Sequence, residues 1–231
     1  MIVTCATEHY AESLELLLAS YAWSNPGGLA VVHLLGWNPA RQAELAARCQ
    51  FEIRVRPLPP SAHRRIVAGE RAGEVLRIKC DLMAEACEEM GDAFFWVDAD
   101  TLVLRSLEPL LARLRSASCD LLCTYLPHEV RERVFAAGVI GCAPTLGCGR
   151  LLRAVAAEAR HLPGLDNWYQ DQLALVHCYE LLQPRLGRLS ESEHSLRGNP
   201  QAVFVSKRDS FSLPELWHRC RESRSDRPHA S

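Results

Sequence analysis

Short apolar runs and amphipathic stretches take turns along the first part of the chain. "MIVTCAT" has the length and character of a buried strand. In "EHYAESLELLLASYAWSN", Leu14, Leu17, Leu18 and Tyr21 recur at helical spacing, and "NPGG" stops the helix. "LAVVHLLGW" is a second buried strand. "NPARQAELAARCQ" opens a helix with Asn38 as its cap and Pro39 at the first helical position. "FEIRVRPL" alternates as a third strand. This β-α-β-α-β order predicts an α/β protein with a mostly parallel central sheet flanked by helices.

The pattern breaks over residues 57–73, where Pro, Gly and Arg accumulate and a loop is expected. It resumes in "EVLRIKCDLMAEACEEM", a helix with Ile78, Leu82, Ala86 and Met90 along one face and Gly91 as its stop. "AFFWV" has no polar residue and suits the centre of the sheet. Further on, "SLEPLLARLRS" predicts a short helix and "CDLLCTYL" a strand with Cys119 and Cys123 on one face. "VFAAGVIGCAP" is another strand, and "GRLLRAVAAEARHL" and "WYQDQLALVHCYELL" are helices. "AVFVS" is a small late strand. One domain over residues 1–220 is expected, followed by a disordered polar tail at 221–231.

Composition narrows the function classes. At 48% hydrophobic and 23% charged residues, the chain can bury a sizeable core. A formal net charge of -2 supplies no basic field for nucleic acid. No apolar run reaches membrane-spanning length, and the N-terminus lacks the basic and apolar regions of a signal peptide. A cytoplasmic protein without a transmembrane segment is therefore expected. The ten cysteines include no C-x-x-C pair and show no zinc spacing. They read as reduced core thiols, which argues against a redox or metal-storage role.

The chemistry gathers at "FFWVDADTLVLRSLEPLL". Asp98 and Asp100 end the most apolar strand, at the edge where open α/β sheets bind ligands. In an extended chain residues i and i+2 point to one side, so both carboxylates would face one spot. Like charges that close call for a cation between them. A hard divalent ion, Mn²⁺ or Mg²⁺, takes oxygen ligands and keeps open positions for substrate phosphates.

In this block the chain resembles the A-type glycosyltransferases (GT-A fold), sugar-nucleotide enzymes with one Rossmann-like domain and a D-x-D motif. It is most similar to the retaining group that includes glycogenin and the bacterial lipopolysaccharide galactosyltransferases. The matching pieces are "MIVTCATEHYAESLELLLAS", "RIK", the D-x-D block, "FAAGVIG" and "YQDQLAL", in the family's order over about residues 1 to 180. The resemblance implies transfer of a sugar from a nucleotide-diphosphate donor, UDP by preference, to an unidentified glycan, lipid or protein acceptor. It implies that Thr4, Ala6, Thr7 and Tyr10 cradle the base and ribose, and that Arg77 approaches the diphosphate or the sugar. Asp98 and its neighbour Ala99 would reach the ribose, and Asp98 and Asp100 the metal. Asp171 would hold sugar hydroxyls, with Gln172 near the anomeric carbon.

The chain also departs from the family. Ala136 stands where the family often has an Asn that touches the sugar. The late strand in "AVFVSKRDSF" lacks the family's metal-ligating His, although Lys207 and Arg208 remain as phosphate partners. His194 and His218 flank that strand outside any motif. These departures leave a degenerate nucleotide-sugar-binding module as one alternative. A nucleotidyltransferase is another, though "CATEHYAES" lacks the Gly-rich basic loop it would need.

Overall fold

The computed structural model describes residues 1–67, 73–126, 129, 134–162, 170–206 and 212–225. Strands β1 (Ile2–Thr7), β2 (Ala30–Leu35), β3 (Glu52–Arg56) and β4 (Phe94–Val97) form one parallel half of a sheet. Among the described residues the sheet has seven strands, with β6 (Leu121–Tyr125), β7 (Phe135–Cys142) and β8 (Leu186–Arg188) completing the order β3-β2-β1-β4-β7-β6-β8. Only β7 runs against the others. A second sheet joins β5 (Thr101–Val103), β9 (His194–Ser195) and β10 (Phe204–Ser206).

Two apolar layers cover the main sheet, as a largely parallel sheet requires. On one face lie α1 (Ala11–Ser24), α2 (Pro39–Arg48) and α5 (Glu108–Arg115). Leu14, Leu17, Leu18 and Tyr21 of α1 all point into this layer, with Leu110, Leu111 and Leu114 of α5. On the other face lie α4 (Gly73–Glu89), α6 (Leu146–His161) and α7 (Gln170–Leu182), which supply Leu82, Met83, Leu151, Val155 and Leu175. The expected cap holds for α2: Asn38 Oδ1 accepts from the amide of Ala40, with Pro39 next to it. Gly91 ends α4 at a φ of 60°, the left-handed conformation that a side chain disfavours.

The structure corrects several expectations. Pro60–Val67, read as loop, forms helix α3, with Pro60 in its first turn and Ala62 buried. The last helix, α8 (Leu213–Ser225), extends into the segment expected to be a disordered tail. Its Leu213, Leu216 and Trp217 pack on β5 and β10, and Trp217 meets Trp23 of α1 edge-on at 5.2 Å. Residues 226–231 lie outside the described set. Cys119 and Cys123 sit in opposite apolar layers, because regular strand begins only at Leu121. Asp120 occupies the break, and its carboxylate binds Thr145 and Arg185. All ten cysteines are free thiols, seven of them buried.

His33 sits mid-strand in β2, 2% exposed, with no hydrogen-bond partner on Nδ1. Burial first, then the nearby Arg56 and Arg54, lower its pKa from 6.5 to about 4. Between those values the unfolded chain binds a proton that the folded chain refuses. His33 thus leaves stability intact above about pH 6.5 and erodes it as pH falls towards 4. The melting temperature should drop more steeply from pH 7 to 5 in the parent protein than in His33→Val. Parallel pH curves would show that His33 does not couple folding to protons.

Candidate active site

The strand order reverses direction between β1 and β4: from β1 the chain builds outward to β2 and β3, then returns to place β4 on the opposite side. Open α/β sheets leave a crevice beyond the carboxyl ends of the strands at such a switch point. Cys5, Ala6 and Thr7 at the end of β1 form one wall of a cleft there, joined by Tyr10. Val75, Leu76 and Lys79 of α4 form another wall, and Asp98, Ala99 and Asp100 close it after β4.

At the bottom lies a buried ammonium. Lys79 Nζ is 2.8 Å from Asp171 Oδ2 at the start of α7. It is 2.9 Å from Asp98 Oδ1 and 3.0 Å from Asp98 Oδ2, and it donates to the Ala137 carbonyl at 3.1 Å. Burial by itself would push the lysine pKa down. The carboxylates of Asp171 and Asp98 outweigh it and hold the pKa above the ordinary value. Asp98 Oδ1 also accepts from the Trp96 indole at 3.0 Å, and the second oxygen of Asp171 takes the amide of Gln172 at 2.9 Å.

An irregularity in β7 makes room for this arrangement. Cys123 pairs with Ile140 but the next residue, Thr124, pairs with Ala136, so Ala137, Gly138 and Val139 bulge out of the ladder with β6. The freed Ala137 carbonyl goes to Lys79, and the Gly138 carbonyl accepts from the amide of Asp98 at 2.8 Å. A Cβ on Gly138 would lie 3.5 Å from Asp98 Oδ2 and 3.6 Å from Ser206 Oγ, so the glycine leaves a cradle between two oxygen groups. The thiol of Cys5 on the β1 wall stays protonated. Cys5 is pushed up to about 12 by burial and by Asp98.

The donor set suits a hard cation that keeps some of its shell outside the protein. The carboxylates of Asp98 and Asp171 share the Lys79 ammonium, and Asp100 lines the cleft beside Asp98. Among the described residues no group of three or more His, Cys, Asp or Glu side chains is arranged as a metal cage. Mg²⁺-type sites commonly use one or two carboxylates with water and phosphate oxygens, and Asp98 and Asp100 both line the cleft.

No protein-family model matches the chain, and no curated protein matches it in sequence. Solved structures match it in fold. The galactosyltransferase LgtC, in complex with donor and acceptor sugar analogues, aligns with a TM-score of 0.63 and 16% identity over 99% of this chain and 97% of its own. An active-site mutant of LgtC gives 0.63 at 17% identity. The apo form of the glycosyltransferase GlyE of Streptococcus pneumoniae TIGR4 gives 0.65 at 14% identity, over 95% of this chain but 59% of its own. The chain has the A-type glycosyltransferase fold.

Within that fold the residues singled out in the sequence do not all meet. Ala6, Thr7, Tyr10, Asp98, Ala99 and Asp100 share the cleft. The carboxylates do so without the extended geometry expected of them, since the chain turns at Ala99 and Asp100 between β4 and β5. Tyr10 both lines the cleft and packs on the α1 layer. Thr4 is fully buried one step below, its hydroxyl oxygen without a partner. Arg77 is half-buried outside the cleft lining and its Nε has no partner. Asp171 reaches the site through Lys79 and is itself buried. Gln172 follows it, half-buried, on the first turn of α7. Lys207 and Arg208 lie outside the described residues.

Sequence reasoning missed Lys79. The signal was a lysine on the buried face of α4, four residues before Met83 and seven before Ala86. A charge there has to be paired. Lys79→Met should cost about 3–5 kcal/mol, because it strands the buried carboxylate of Asp171 beside the half-buried one of Asp98. Adding Asp171→Asn should return part of that loss, a coupling that urea unfolding in EDTA measures. A loss below about 1 kcal/mol would show that Asp98 and Asp171 tolerate each other without the ammonium.

Proposed function

We propose that the protein is a glycosyltransferase that moves a sugar from a nucleoside-diphosphate donor, with UDP as the nucleotide, to a glycan, lipid or protein acceptor. The observation that carries this reading is the Lys79–Asp98–Asp171 triangle set beside Asp100 at the switch point of the sheet. The fold shared with LgtC, solved with donor and acceptor sugar analogues, supports it.

The base and ribose of the donor would lie against Ala6, Thr7 and Tyr10, with the apolar Val75 and Leu76 opposite and Ala99 alongside. Thr4 would support that strand end from below, and Arg77 and Lys207 would be drawn to the diphosphate. Asp98 and Asp100 would hold Mn²⁺ or Mg²⁺, which when bound supplies positive charge against the leaving diphosphate. Lys79 fixes the orientation of Asp98 from below and ties it to Asp171. Asp171 and Gln172 begin α7 next to this point, so the transferred sugar would sit over them. As the glycosidic bond breaks, the anomeric carbon gains positive charge, which a fixed carboxylate and an amide oxygen can stabilise. Retention of configuration is part of the proposal, with Gln172 on the face that supports it.

UDP should raise the melting temperature more with Mn²⁺ than with EDTA, because two carboxylates repel a diphosphate unless a cation lies between them. Asp100→Ala should stay folded and lose donor hydrolysis when a panel of nucleotide sugars is tested with Mn²⁺. Equal UDP shifts in Mn²⁺ and EDTA, or near-normal hydrolysis by the variant, would sink the metal assignment. No hydrolysis of any donor by the parent protein, with UDP still bound, would leave a binding module.

Gln172 separates binding from chemistry. An interaction made mainly in the transition state lowers turnover by about tenfold or more while leaving ground-state affinity nearly unchanged. Gln172→Ala should therefore bind UDP normally by calorimetry yet hydrolyse its donor slowly. Lost UDP affinity in a folded variant would move Gln172 to the nucleotide.

A further inference from the structure

Cys87 of α4 and Cys148 of α6 lie 61 residues apart in sequence, and their sulfurs are 3.8 Å apart, with the Cys87 thiol donating to Cys148. Cys87 is half-buried and Cys148 is completely buried. Cys148 also bonds to the thiol of Cys142 at the end of β7. Three sulfurs thus run inward from the helical layer to the sheet, away from the lining of the cleft.

The two helices that carry the outer pair are already held in register. Asp81 of α4 pairs with Arg160 of α6, and two turns further along α4 Glu88 pairs with Arg153, two turns earlier in α6. The helices are therefore antiparallel and tied on both sides of a turn. A Cβ on Gly149 would stand 4.0 Å from the Cys87 sulfur, so the turn of α6 that carries Cys148 lies directly against Cys87. A disulfide holds its sulfurs at about 2 Å. From 3.8 Å that leaves a closure of about 2 Å, which rotation of the two side chains can share.

The bond to Cys148, and then burial, push the Cys87 thiol up, while the Arg153 guanidinium draws it down. A protonated thiol attacks an oxidant slowly, because the thiolate is the nucleophile. That limits the rate. The equilibrium depends on how far the fold has already brought the two sulfurs together, and here they are in contact.

We propose that Cys87 and Cys148 are a redox-sensitive dithiol, which a hydroperoxide converts to a reversible disulfide clamping α4 to α6. The Cys87 sulfur, the more accessible of the two, attacks one peroxide oxygen and the O–O bond breaks. The other oxygen leaves as alcohol, or as water from hydrogen peroxide, and Cys87 becomes a sulfenic acid. The Cys148 sulfur then displaces the sulfenic hydroxyl, which leaves as water with the Cys148 proton, and the S–S bond forms. Two thiols lose two electrons and one hydroperoxide gains them. A thiol reductant reverses the step by exchange, so the pair stays open in a reducing compartment until oxidant appears. The clamp closes a 61-residue loop and restricts the unfolded chain. It does not depend on the sugar-transfer reading.

The full-length protein is reduced, freed of reductant and treated with hydrogen peroxide under native conditions. Remaining thiols are blocked, and peptides are mapped by mass spectrometry without reduction. The expected product is an intramolecular link between the Cys87 and Cys148 peptides that dithiothreitol removes. The oxidised protein should melt about 5 °C or more above the reduced one. Cys87→Ser should show neither the link nor the shift, whereas Cys49→Ser, which removes another half-buried thiol, should show both. No link, a link between Cys142 and Cys148 or any other pair, or a Cys87–Cys148 link that leaves the melting temperature unchanged would overturn the clamp. The peptide map of the parent decides the chemistry even where a variant fails to fold.

Discussion

The ammonium of Lys79, 4% exposed, is pinned between Asp98 and Asp171. The contact joins α4, the end of β4 and the start of α7 at one point, and the Ala137 carbonyl adds β7. Buried ion pairs are poor sources of net stability, since desolvating both partners offsets most of their attraction. Their effect is conditional: once the charges are inside, the elements that carry them must stay in contact or leave a charge unpaired. The main sheet and its α4–α6–α7 layer are held in register at the cleft by this rule, while apolar packing does the work elsewhere.

Other features of the region follow from accommodating that contact. Lys79 needs a third acceptor, and a regular β7 would spend the Ala137 carbonyl on its neighbour strand. The bulge at Ala137–Val139 releases it. The backbone irregularity and the buried lysine are two parts of one local solution.

Much of this fold was legible along the chain because periodicity reports burial. The two-faced β-α-β-α-β start, the apolar β4 and the cap at Asn38 all came from patterns that depend only on neighbours in sequence. The direction of β7 was not legible, since an apolar run looks the same whichever way it points. Helix α3 was hidden by a composition of Pro and Arg that suits loops, although Ala62 and Ile66 are one turn apart. At the site, Asp98 and Asp100 stood out because charges at the end of an apolar strand demand a reason. Lys79 made the same demand from inside a helix, where long basic side chains usually reach solvent and attract less notice. His194 could not be placed at all, because Thr124 and Ser206, which its ring meets, lie 70 residues before it and 12 after it.

Exposure rises outward through the cluster. The side chains of Lys79 and Asp171 are each 5% exposed, and that of Asp98 is 33% exposed. The innermost pair cancels, as charges far from water must. Asp98 is shared between the ammonium and the cleft, which Asp100 also lines. One carboxylate would be enough to neutralise the lysine. The second ties a further element to it, since Asp98 follows β4 and Asp171 lies in the first turn of α7. The ammonium therefore fixes one end of α7 against the end of the central strand, and the cost of separating them is an unpaired charge away from water.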